Sequence, residues 1–139
     1  VVHGEVEGQG KIKGLKYGHA WVEDDVYVYD FSNAKKCPEK IDSSFVLNKE
    51  NKIAASLYSD INNLKMLVFT DQPSVHIYVG GKFDDLLTGK EKIKYQPNSG
   101  ICFETQNFPD APNHHNFPNS VLKKDDTYLQ KTVYKFEIH

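Results

Sequence analysis

Short runs with alternating side chains, each closed by turn residues, constrain this chain more than any other feature. "VYVYDF" sets Val26 and Val28 against Tyr27 and Tyr29, a period of two. Runs of similar length follow: "SFVLN", "IAASLYS", "LKMLVFT", "VHIYVGG", "GICFETQ" and "TVYKFEI". Aromatic and β-branched residues fill them, and segments such as "EDD", "KENK" and "DQPS" punctuate them. The pattern of "IAASLYS" also fits a helix, but the turns around it favour a strand. "HAWV", "EDD" and "VYVYDF" together read as a hairpin. Pro73 suits a turn between two strands. No helix is expected beyond one short turn near "KKCPEK". The fold class is all-β, built of antiparallel strands.

A chain of 139 residues fits one domain with a modest core. Lys plus Arg number 17 against 19 Asp plus Glu, a formal charge of -2. That balance argues against nucleic acid, whose phosphates favour a clear positive excess. The apolar runs are too short to span a membrane. Cys37 and Cys102 lack both disulfide-scaffold numbers and metal-site spacing, so they read as free thiols in a reducing, cytoplasmic setting. There is no signal-peptide pattern. The chain opens "VVHGEV" without Met, which reads as processed, trimmed or cut from something longer. "AKKCPEK", at 34–40, is charged and holds a proline, and it reads as a linker or a seam.

Three segments offer chemistry. In "GICFETQ", Ile101 and Phe103 share one face, and Cys102 and Glu104 share the other. Glu104 is either a general base tuned by partial burial or an ordinary solvent-facing glutamate. The segment "QNFPDAPNHHNFPNS" is a long loop stiffened by three prolines. Its aromatics, amides and Asp110 suit a sugar, or else a loop packed on itself. His114 and His115 are adjacent and point apart, so they read as solvated rather than metal-binding. In "GHAWVE", His19 and Trp21 share a face. A Cys-His hydrolase would need Cys37 or Cys102 as nucleophile, and neither sits where a thiol is activated. His76, alternating with Val75 and Ile77, reads as a structural residue on one side of a sheet. "GQGKIKG" lacks the Lys-Ser/Thr ending of a phosphate loop and reads as turns.

The run from Gly100 onward carries a larger pattern. Gly100, Cys102, Glu104, Thr105, Gln106, Phe108, Pro109, Asp110, Ala111 and Asn113 are followed by Phe117, Pro118 and Leu122, then by Tyr128, Thr132, Tyr134 and Phe136. This closely resembles the C-terminal signature of aldose 1-epimerases, the galactose mutarotases. Upstream, "IDSSFVLN" and "LVFTDQPSVHIYVGG" resemble two further family stretches. The likeness runs from about Ile41 to the end, and residues 1–40 lie outside it.

The resemblance implies an antiparallel β-sandwich of the galactose mutarotase type, or its C-terminal part. It implies an isomerase that interconverts hexose anomers without metal or organic cofactor. Glu104 would take the proton from the anomeric hydroxyl. Asp42 would hydrogen-bond sugar hydroxyls, with Gln106 and Phe108 on the substrate side. The family's acid is a histidine from an N-terminal half that is not visible here, and Ser43 stands where the family often has His. His19 is the candidate for that acid, with His3 and His76 behind it. The partner implied is a small-molecule hexose. A half-sandwich leaves a sheet face to be covered by residues 1–40 or by homo-oligomerisation. The alternative is a binding or structural module, or a fusion with a seam near 36–40, that keeps the sugar-facing wall without its acid.

Overall fold

The structure, a computed structural model, describes residues 34, 36–38, 40–47, 52–80 and 88–138. The hairpin expected around "HAWVEDDVYVYDF", with His3 and His19, lies outside the described residues. Within them are six strands: β1 (Ile41–Val46), β2 (Ala55–Ser59), β3 (Leu64–Thr70), β4 (Ser74–Val79), β5 (Ile101–Gln106) and β6 (Thr132–Ile138). Two 3-10 turns, Lys90–Lys92 and Ala111–Asn113, are the helical elements described. Lys36, Cys37, Pro38 and Lys40 form no helical turn, so the one expected near "KKCPEK" is not seen in its described residues.

The strands form two antiparallel sheets, ordered β1-β4-β5 and β2-β3-β6. The β2–β3 hairpin has a local cause. Asn63 takes the left-handed conformation at φ 54, which Asn tolerates well. The Asn62 side chain accepts from Leu64 N at 3.1 Å, and the Tyr58 hydroxyl donates to Asn63 Oδ1 at 3.0 Å. The "DQPS" link behaves differently. β3 and β4 do not pair; the link turns the chain from one sheet to the other.

One core joins the sheets. Ile41, Phe45, Val75, Ile77, Val79 and Phe103 from the first meet Ala55 and Val68 from the second. Alternation puts all six on one face of β1-β4-β5, because odd-numbered positions point inward on each of the three strands. Each buried Val, Ile or Phe contributes about 1.5–3 kcal/mol. The register follows: Phe45 lies opposite Val75, and Ile77 opposite Phe103.

Side-chain bonds stitch β5 to the far sheet. The Tyr134 hydroxyl donates to the Phe103 carbonyl at 2.7 Å, and Gln130 Nε2 donates to the Thr105 carbonyl at 2.9 Å. The hydroxyl of Thr132 lies 2.6 Å from that of Thr105 and 3.1 Å from that of Thr70. These contacts occupy acceptors that an edge strand otherwise leaves to solvent or to another chain. Tyr134→Phe removes the bond to Phe103 with little change in shape. The expected loss is about 0.5–1.5 kcal/mol in urea unfolding, with no change in slope.

A second clasp joins the end of β3 to the start of β6. Asp71 N donates to the Lys131 carbonyl at 3.2 Å, and Lys131 N donates to Asp71 Oδ2 at 2.9 Å. The Gln72 amide, donating to Asp71 Oδ1 at 2.8 Å, together with Lys131 holds this carboxyl below its ordinary pKa. A carboxyl depressed in the folded state adds stability above its unfolded pKa and loses it as pH falls through the folded one. Wild type is therefore expected to melt higher than Asp71→Asn at pH 7. The gap should close well below about pH 4, the ordinary carboxylate value. β6 itself remains exposed, with Val133, Tyr134, Phe136 and Ile138 all open to solvent.

Candidate active site

The second face of β1-β4-β5 carries the polar residues. Pairing aligns them in rows across the strands: Ser44, His76 and Glu104 form one, and Asp42, Tyr78 and Cys102 the next. Residues directly opposite on antiparallel strands have Cβ atoms about 4.5–5.5 Å apart. Glu104 and His76 are such a pair.

His76 is held from both ring nitrogens. Its Nε2 lies 3.1 Å from Asp42 Oδ1, and its Nδ1 lies 3.1 Å from Ser44 Oγ. An ionised carboxylate only accepts, so Nε2 carries a hydrogen toward Asp42. The His76 side chain is 13% exposed and that of Asp42 62%. The imidazole is thus sheltered, and its carboxylate partner faces solvent. Glu104 is exposed, so the partial burial expected of a tuned base is not present. Ile77 and Phe103 are buried on the other face of the sheet, and the Glu104 side chain is on the solvent side.

The other expected residues distribute as follows. Gln106 continues the Glu104 face at the end of β5, opposite Ser74, whose hydroxyl donates to the Gln106 carbonyl at 2.8 Å. Phe108 packs edge-on against Phe117, with centroids 5.0 Å apart. His114 stacks on Phe117 at 4.6 Å and lies 3.2 Å from Asp110 Oδ2. Asn113 Nδ2 also donates to Asp110. The loop packs on itself around buried Phe117. Among the described residues no group of His, Cys, Asp and Glu has the arrangement of a metal site. His19 lies outside the described residues. Cys102 is exposed on the Glu104 face, across from Tyr78. Desolvation raises the Cys37 pKa, the opposite of what a thiolate nucleophile needs.

A cavity of about 600 Å³ lies elsewhere, lined by Lys52, Asp71, Gln72, Asn107, Asn119 and Tyr128 among others. None of Asp42, Ser44, His76 or Glu104 borders it. The chemistry on the open sheet face carries more weight than the concavity, because it aligns a carboxylate, an imidazole and a hydroxyl in one row.

Ser44 and His76 as a linked pair escaped the sequence reading. Alternation already sets His76 apart from Val75 and Ile77. The missing quantity was the register between β1 and β4, which brings Asp42 and Ser44 to the ring.

Comparison with known proteins bears on the family and the fold. The family model described as aldose 1-epimerase matches residues 16–135. It reaches back into the first forty residues, which the sequence reading had left unmatched. Galactose mutarotase from Rattus norvegicus is 37% identical over 99 residues, covering 70% of this chain and 29% of the relative. Aldose 1-epimerase from Haemophilus influenzae is 34% identical over 99 residues, covering 69% and 29%. A crystal structure of the GalM/aldose epimerase homologue from C. elegans superposes with a TM-score of 0.65 at 27% identity, covering 71% of this chain and 30% of that one. The chain thus spans less than a third of the length of these relatives. Among the described residues no helix is long and apolar enough to cross a membrane. With the family model spanning most of its length, the chain belongs to the aldose 1-epimerase family.

Proposed function

We propose that this chain is an aldose 1-epimerase-like isomerase that interconverts the α and β anomers of free hexoses, galactose and glucose among them. Glu104 is the general base for ring opening, and Asp42, Gln106 and Phe108 are on the substrate side. The observation that carries this reading is the row of Ser44, His76 and Glu104 across one open sheet face, with Asp42 bonded to His76. Anomer exchange needs one group to take a proton and another to give one, both near C1. A carboxylate beside an imidazole supplies both types at one level of the sheet.

A second reading is sugar binding without turnover. The exposure of Glu104 and the open apolar surface of β6 favour it. Polarimetry on freshly dissolved α-D-galactose separates the two. The enzymatic reading expects a rate above buffer that is proportional to protein. A rate equal to buffer, with saturation-transfer NMR signals from the sugar, is the result expected of a binding module.

A further inference from the structure

We propose that the cavity where β1, β3 and β5 end is a saccharide-binding site, separate from the Glu104 face. The inference stands apart from the epimerase reading, because it needs neither proton transfer nor a free anomeric hydroxyl.

Segments far apart in the chain build this cavity. β1, β3 and β5 run out at its wall, in Leu47, Thr70 and Asn107, and β4 begins just beyond Pro73. The long proline-stiffened loop contributes its two ends. Asn107 precedes the middle of the loop, and Pro118, Asn119 and Ser120 follow it. The middle is engaged with itself: Phe108 packs on Phe117, and Asn113 donates to Asp110. The groups that composition alone suits to a sugar are thus divided. Those in the middle hold the loop together, and those at its ends face the cavity.

The lining favours one class of ligand. The volume of about 600 Å³ falls within the usual range of small-molecule sites. Among the described residues, the Lys52 ammonium, the Asn107 amide and the Ser120 hydroxyl make no hydrogen bond or ion pair. A ligand that bonds them therefore breaks no bond within the protein. Lys52 and Asp71 are the charged groups of the wall, and their charges cancel. That balance favours a neutral ligand over a phosphate or another anion. Lys52 only donates, whereas the amide and the hydroxyl both donate and accept. Ligand hydroxyls, which also do both, match all three. Asp71 is a fixed acceptor, held by Gln72 and by Lys131 N. Tyr128, Pro118 and Leu122 add apolar surface to the same wall. A neutral molecule that is rich in hydroxyls and has an apolar C–H face is a saccharide.

The test is amide chemical-shift mapping of the ¹⁵N-labelled chain, titrated with methyl β-D-galactopyranoside, whose ring cannot open. Saturable shifts are expected at the amides of Gln72, Asn107 and Asn119. Glu104→Gln should leave them as in wild type. Asn107→Ala and Lys52→Met should each weaken the binding about tenfold, as loss of one hydrogen-bonding group does. Neither side chain bonds another described residue, so both variants should melt with wild type. Glycine is the second probe, because Lys52 and Asp71 also suit the two ends of a zwitterion. No saturable shift at the cavity amides, whatever happens at Asp42, His76 and Glu104, overturns the proposal. So do cavity shifts that Asn107→Ala and Lys52→Met leave unchanged, and so does saturation by glycine with none by the galactoside. Polarimetry reads the other question independently. Wild type no faster than buffer overturns the epimerase reading and leaves the cavity shifts standing.

Discussion

Glu104→Gln is expected to reduce anomer exchange by about a hundredfold to ten-thousandfold, the usual cost of removing a general base. The substitution keeps length and shape and removes the ability to take a proton. Stability should hardly change. Glu104 is exposed in the middle of β5, and exposed substitutions away from special features fall within about 0.5 kcal/mol. Binding should survive as well, because an amide still hydrogen-bonds hydroxyls. The measurement is polarimetry beside saturation-transfer NMR and a thermal melt. A variant that folds, contacts sugar and turns over like wild type would remove Glu104 from the base role. It would leave family membership untouched.

The second large effect concerns the core. Phe45 is 4% exposed and sits opposite Val75, which is fully buried. Phe45→Ala removes most of a ring from the layer where both sheets meet. The expected cost is about 3–5 kcal/mol, made of lost transfer energy and an unfilled cavity. Domains of this size are stable by about 5–15 kcal/mol, so a large part of the margin goes. Urea unfolding should show a midpoint far below wild type. Activity should fall with the folded fraction rather than with the chemistry. The two variants separate chemistry from fold: Glu104→Gln is expected to lose the reaction and keep the fold, and Phe45→Ala to lose activity only as the fold is lost. The cause is parity along the strands. Odd positions of β1, β4 and β5 supply the core residues, and even positions carry the proposed site residues.

Much of this was written in the chain. Alternation in "GICFETQ" put Phe103 and Glu104 on opposite faces, and the strand bears that out, with Phe103 buried and Glu104 exposed. Five further runs fall on the other five strands. The signature after Gly100 led to the family before any contact was known. Local chemistry also favoured the Asn62–Asn63 turn, because Asn side chains satisfy nearby backbone groups on their own.

Tertiary structure decided what depends on residues far apart in the chain. "DQPS" looks like a link between neighbouring strands, yet β3 and β4 pair with different partners. Turn composition says that the chain reverses; it does not say which edge the next strand joins. The loop of Phe108 and Phe117 suited self-packing somewhat better than sugar stacking by composition, and only the tertiary contacts show which rings meet. His76 is the sharpest case. Its sequence neighbours, Val75 and Ile77, are buried and suggest a structural role. Asp42 and Ser44 lie 34 and 32 positions away. Only the register of β1 on β4 brings them to the ring, because hydrogen-bonded pairing, not proximity along the chain, chooses which side chains stand side by side.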